Sequence, residues 1–211
     1  AAQMFGVIAE AGIVPLARVP SNSHENIKRC LDNGAFGIVV PMVNTAEEAR
    51  AAVAATRYHP VGNRSVGGSL HCLNFGVPAP EYYAEASNEI FVAVQTEHIE
   101  AVENAEEICA VEGVDAIFVG PNDLLQSMEK TPGMESDDKE FVEAMDHLRE
   151  TALKHGVAPG LHTLLPEQLR RRIDEGWTFL ALGSDVALML QGAKSSLREA
   201  GIGEGGESTR Y

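Results

Sequence analysis

The sequence is short of positive charge. Its 211 residues carry 16 Lys and Arg against 31 Asp and Glu, a formal net charge of −15. A field of that sign excludes binding to nucleic acid through the phosphate backbone and discourages contact with anionic membranes. Anionic small molecules stay open, since one nearby arginine outweighs a distant field. Cysteine is scarce too. Cys30, Cys72 and Cys109 are odd in number and include no C-x-x-C pair, so they suggest neither a disulfide framework nor a zinc site. The expectation is a reducing compartment, the cytoplasm, with Cys30 and Cys109 as small core residues of helices and Cys72 as a loop thiol. No apolar run reaches the roughly 18 residues of a membrane span. The apolar stretch AAQMFGVIAEAG lacks a basic leader and carries Glu10, which argues against a signal peptide. No pair of histidines has metal-ligand spacing, and His71, His98 and His162 are read as bystanders. There is no Ser or Cys nucleophile arrangement and no dinucleotide fingerprint. GNRSVGG at 62–68 has the composition of a phosphate loop without the preceding strand and following helix. It is read as a structural loop near the mouth of the fold or at an interface.

What is present is alternation. IVPLARV (13–19), FGIVVPMV (36–43), IFVAVQT (90–96), DAIFVG (115–120), VAPGLHT (157–163) and TFLALGSDV (178–186) are short apolar runs without period-2 polarity. Such runs mark strands buried on both faces, and helices separate them. Ser23 and Gly34 bound the first of these helices. Thr45 with Glu48 forms a capping box for the second. Further helices are expected over 100–112, 138–155 and 166–175, with EYYAEASN (81–88) following a long irregular stretch, 59–80. Six strands alternating with helices predict a parallel α/β sheet with helical crossovers, open or closed.

In such folds the chemistry gathers where strands run out into βα loops. Arg18, Pro41-Met42-Val43-Asn44, Gln95, Glu97, Asn122, Asp123, His162, Thr163 and Ser184-Asp185 fall at those ends. Glu97 and Asp123 would meet at one mouth, where two carboxylates repel unless a cation intervenes. Two carboxylates completed by water suit Mg²⁺ or Mn²⁺. Spacing alone leaves two other readings open: capping of the helices that follow, and for Arg18 a salt bridge closing a strand end.

PLARVP, GAFGIVVPMVNTAEEA, RYHPVGNRSVGG, VQTEHIEAVENAEEICAVEGVDAIFVGPNDL and GWTFLALGSDVALM together resemble the HpcH/HpaI family of metal-dependent (class II) pyruvate aldolases over nearly all of residues 10–192. The Q-x-E…G-P-x-D-L pairing, with its acids 26 positions apart, carries most of the likeness. The resemblance implies a TIM (β/α)₈ barrel and reversible cleavage of a 4-hydroxy-2-oxo acid to pyruvate, or a related 2-oxo acid, and an aldehyde. It implies a divalent cation (Mg²⁺, Mn²⁺ or Co²⁺) held by Glu97 and Asp123. Arg18 then reaches the substrate's 2-oxo oxygen, Gln95 is a polar neighbour, and Gly120 with the N–H groups of Asn122 and Asp123 cradles the carboxylate. Asn122, where relatives usually carry a small residue, narrows the pocket. The implied assembly is a homo-oligomer, a hexamer built from dimers that exchange a C-terminal helix. No Schiff-base lysine is needed, and Lys28, Lys130, Lys139, Lys154 and Lys194 all fall away from strand ends.

Only six of eight βα units are counted, so residues 1–192 are expected to form an incomplete barrel domain and 193–211 a helix end and flexible tail. Two further units of roughly 50–80 residues, on the scale of such barrels, are expected upstream. There relatives carry an Asp-x-Glu-His stretch whose His is implicated in proton transfer. Oxaloacetate decarboxylation, acyl-CoA ester lysis and a non-catalytic oligomeric relative are the competing readings.

Overall fold

The computed structural model describes residues 1–202. Six parallel strands form one sheet in sequential order: β1 (Leu16–Arg18), β2 (Gly37–Val40), β3 (Phe91–Gln95), β4 (Ala116–Val119), β5 (Ala158–Thr163) and β6 (Phe179–Leu182). The helices are α1 (Ala2–Glu10), α2 (His24–Asp32), α3 (Ala46–Thr56), α4 (Leu70–Phe75), α5 (Ala79–Glu89), α6 (Ile99–Glu103), α7 (Ala105–Cys109), α8 (Pro121–Ser127), α9 (Lys139–Lys154), α10 (Pro166–Asp174) and α11 (Asp185–Glu199). No described helix is long and apolar enough to cross a membrane. Most of the expected tail, 203–211, lies outside the described residues; α11 ends at Glu199.

The sheet curls. Phe179 on β6 stacks on Phe91 of β3 with ring centroids 5.1 Å apart, and on Phe118 of β4 at 5.6 Å. Three strand spacings in a flat sheet would hold β3 and β6 about 14 Å apart. The rings therefore meet across a concave face, and the architecture is a half-barrel with helices outside. Val92, Val94, Ile117 and Val119 point the other way and are fully buried. Among the described residues β1 pairs with β2 alone and β6 with β5 alone, so both are edges.

Helix starts follow the sequence. Ser23 Oγ accepts from Asn26 N–H, and Thr45 and Glu48 form the reciprocal capping box. Asp138 accepts from the N–H groups of Glu140 and Phe141 at the start of α9. Three expectations need correction. The helix placed at 100–112 breaks at Asn104, whose side chain turns away to donate to Asn44 O (2.9 Å) and ends α6 before α7 starts. The irregular stretch 59–80 contains α4, too short for a periodic signal to emerge. Cys72 is on that helix and buried, so it is no loop thiol, whereas Cys109 is the expected core residue, its thiol pushed up by burial to about 12.

The 62–68 loop packs on the outer helices. Arg64, its side chain fully buried, pairs with Asp32 at the end of α2 (2.8 Å) and lies over the Tyr58 ring, 4.7 Å from the centroid. Gly62 N–H donates to Tyr58 O and Asn63 N–H to Ala54 O of α3. Asp32→Ala is expected to lower the unfolding free energy by about 3 kcal/mol. This is the low end for stripping the partner from a buried charge, because Asp32 keeps some water contact. Denaturant unfolding of the two proteins measures it.

Candidate active site

β1, β3 and the loops after β2 and β4 converge at the C-terminal edge of the sheet. Arg18, the last residue of β1, shares its strand face with Leu16, opposite buried Ala17. That face is the concave one, so the guanidinium reaches over β2 to β3, where Arg18 Nε donates to Gln95 Oε1 (3.2 Å). Gln95 Nε2 in turn donates to Glu97 Oε2 (2.9 Å). The orientation of the amide follows from its neighbours: arginine only donates and must face the oxygen, while an ionised carboxylate only accepts and must face the nitrogen. The other carboxylate oxygen, Glu97 Oε1, accepts from the main-chain N–H of Met42 (3.0 Å), just beyond β2. Each oxygen of Glu97 thus has one protein donor and keeps lone-pair capacity for another partner.

Glu97 is 3% exposed. Burial pushes its carboxyl above the usual range, and the Asp123 charge pushes the same way; the Met42 N–H and the Arg18 charge oppose them. Asp123 stands at the third position of α8, exposed, in the first turn after Gly120. Gly120 is required by space. A Cβ there would overlap Glu97 Oε2 and stand 3.1 Å from Glu97 Cβ.

These contacts bear on the readings left open by spacing. The cap of α6 is His98, whose Nδ1 accepts from Glu100 N–H, so Glu97 is free of that task. The cap residue of α8 is Gly120, with no side-chain capping bond, so Asp123 does not cap either. Arg18 bonds an amide rather than closing a strand-end salt bridge. Of the expected set, Arg18, Gln95, Glu97 and Gly120 touch one another in sequence, and Asp123 acts on Glu97 through its charge. Asn122 behaves otherwise: its exposed side chain donates to Met134 Sδ (3.1 Å) in the 128–138 connection. His162 Nε2 lies 3.0 Å from Gly183 O, and His71 is buried against Tyr82. Met42 falls at a strand end in the sequence, but its part, a main-chain N–H given to Glu97, is one that sequence reasoning did not assign.

A divalent cation fits the donor set. Two carboxylates, one of them desolvated and pushed up further by the charge of the other, gain from a cation between them. Among the described residues no cluster of three or more His, Cys, Asp or Glu occurs. A closed protein cage of the structural-zinc kind is therefore not formed by them. A hard cation that takes one or two carboxylates and fills its shell with water and substrate oxygens suits what is there.

The model of the HpcH/HpaI aldolase/citrate lyase family matches residues 1–192. A 5-keto-4-deoxy-D-glucarate aldolase from Klebsiella pneumoniae is 40% identical over 173 residues, which cover 82% of this chain and 66% of that enzyme. Its Escherichia coli counterpart is 39% identical over 174 residues, covering 82% and 67%. The crystal structure of an HpcH/HpaI aldolase from Desulfitobacterium hafniense superposes with a TM-score of 0.86 at 29% identity, over 98% of this chain and 80% of that one. The chain spans about two thirds of the length of the two glucarate-series aldolases.

Proposed function

This chain belongs to the HpcH/HpaI aldolase/citrate lyase family, and from that premise we propose that it works as a class II aldolase. It cleaves a 4-hydroxy-2-oxo acid reversibly to pyruvate, or a related 2-oxo acid, and an aldehyde. The observation that carries the reading is the relay Arg18–Gln95–Glu97 ending beside Asp123 and Gly120. It puts a permanent cation and two carboxylates at one strand-end cluster.

Glu97 and Asp123 would hold the divalent cation, Mg²⁺, Mn²⁺ or Co²⁺. When bound it supplies Lewis acidity toward the 2-oxo acid. Gly120 leaves room for the substrate carboxylate beside Glu97, and the main-chain N–H groups of Asn122 and Asp123, in the first turn of α8, face it with the helix's positive end. As the 4-hydroxyl gives its proton to a base and C4=O forms, the C3–C4 bond breaks, its electron pair becomes the C2=C3 bond of the enolate, and the 2-oxo oxygen takes up negative charge. Arg18 meets that charge with a donor held in place before the reaction, the strategy of an oxyanion hole. Gln95 fixes the guanidinium by accepting from Nε, leaving its other N–H groups for substrate. The pyruvate enolate then takes a proton at C3. The base for the 4-hydroxyl proton is none of these residues: a guanidinium and an amide offer no basic site, and both carboxylates would be committed to the cation.

The curled sheet fits part of an eight-stranded barrel, whose closing strands would pair with the free edges of β1 and β6. α11 buries none of its residues and exposes Val186, Leu188, Met189 and Leu190, which supports assembly into a homo-oligomer.

Pyruvate release from a panel of 4-hydroxy-2-oxo acids tests the reading. Chelator is expected to abolish it and Mg²⁺ or Mn²⁺ to restore it. Cleavage that persists at full rate in excess chelator would overturn the assignment of Glu97 and Asp123.

A further inference from the structure

Past Val40 the second strand leaves its ladder. Val40 is in register with Val94, and hydrogen bonding to the third strand resumes where Val43 N–H donates to Gln95 O (3.1 Å). Two residues intervene. Pro41 has no N–H to offer the ladder. Met42 sits at φ +53, a left-handed conformation that a bulky L residue adopts only against steric strain. Its side chain is 46% exposed, so packing does not account for holding the backbone there. The bond made by the main chain does. Met42 N–H points at Glu97 Oε1 (3.0 Å), across 55 positions of sequence. A residue continuing the strand would aim its N–H in the plane of the sheet, toward a neighbouring backbone carbonyl. The bulge redirects it onto a side chain, and that side chain is buried and needs donors.

We propose that the Pro41–Met42 bulge is a positioning device. The left-handed turn at Met42 delivers a main-chain donor to one oxygen of Glu97, while Gln95 holds the other, and the two together set the direction in which the carboxylate faces a divalent cation. Met42 is thus a positioning residue that acts through its backbone rather than its thioether. The inference rests on reading Glu97 as a ligand of that cation.

Because the effect runs through φ, substitutions should sort by their tolerance of the left-handed region and not by size. Met42→Gly keeps the N–H and favours positive φ. Met42→Val, β-branched, is driven out of that region and withdraws the donor. Met42→Ala makes a milder demand and guards against a folding failure of the valine variant. The experiment titrates Mn²⁺ into each purified protein, follows free Mn²⁺ by electron paramagnetic resonance, and records the thermal midpoint of the metal-free form. Met42→Val is expected to lose about tenfold or more in Mn²⁺ affinity, the usual loss when a ligand's supporting partner is removed. Met42→Gly should stay within about threefold of wild type and Met42→Ala should fall between. A valine variant that is folded and binds Mn²⁺ as wild type does would overturn the proposal. So would a glycine variant as weak as the valine one, since the side chain would then be what matters. Wild-type protein that binds no Mn²⁺, or Glu97→Gln that binds it undiminished, would instead bring down the ligand reading underneath.

Discussion

Gly120→Ala is expected to cut turnover by at least about 10²-fold, the scale of a catalytic group displaced by roughly an ångström. The backbone is not the obstacle. Gly120 has φ −98 and ψ 95, angles open to any L residue. The obstacle is Glu97: the added methyl would overlap Oε2 and come within 3.1 Å of Cβ and 3.4 Å of Cδ. Nor is the carboxylate free to swing aside, for Met42 holds one oxygen and Gln95 the other. Overpacking of this kind costs about 1–3 kcal/mol of stability, so the protein should fold while its affinity for Mn²⁺ falls about 10- to 100-fold. Steady-state kinetics, Mn²⁺ titration and a thermal melt read the three quantities separately. Turnover like that of wild type would show Glu97 to be mobile, and the close contact with Gly120 to be incidental.

Arg18→Ala should produce the opposite split. Its guanidinium touches Glu97 only by way of Gln95, so cation binding is expected to stay nearly intact. Turnover should drop by about 10²–10³-fold, the loss typical of one missing oxyanion donor. Arg18→Lys should recover little. A lysine's point charge at the end of a flexible stem cannot both donate to Gln95 in the fixed direction of Nε and present further donors to the substrate. If the alanine variant turned over at the wild-type rate, Arg18 would be a structural partner of Gln95 and nothing more.

The parts of this arrangement differ in how openly the sequence declares them. The strands were legible because β-branched runs such as Gly37–Val40 and Ala116–Val119 are buried on both faces and carry no competing pattern. Caps at Ser23, Thr45 and Asp138 are local, three residues from what they bond, and so are written in adjacent letters. Glu97 and Asp123 stand out as acids at the ends of apolar runs, but their spacing also fits helix capping, and it is the family likeness that singles them out as a pair. The break of helix 100–112 was not legible, since Asn104 is a passable helix residue until Asn44, 60 positions away, accepts from it. Met42 was hidden more completely. Its contribution is a main-chain N–H, which every residue but proline has, and its orientation depends on a dihedral angle that no single letter other than glycine announces. Asn122 shows the reverse failure. The family likeness made it a wall of the pocket, and the side chain turns to Met134, a neighbour that the connection after α8 folds back to supply.

The order of strands also bears on how the protein would fail when warmed. Glu97 and Asp123 follow β3 and β4, each flanked by a hydrogen-bonded neighbour on both sides, whereas Arg18 closes β1, which among the described residues has a neighbour on one side alone. Partial opening starts where backbone bonds are fewest and reaches the middle of a sheet last. Unless closing strands cover that edge of β1, a molecule caught in such an excursion would keep both acids in place and have mislaid its arginine. It could be fully loaded with metal and still idle, so extra metal would protect the fold against heat better than it protected the rate.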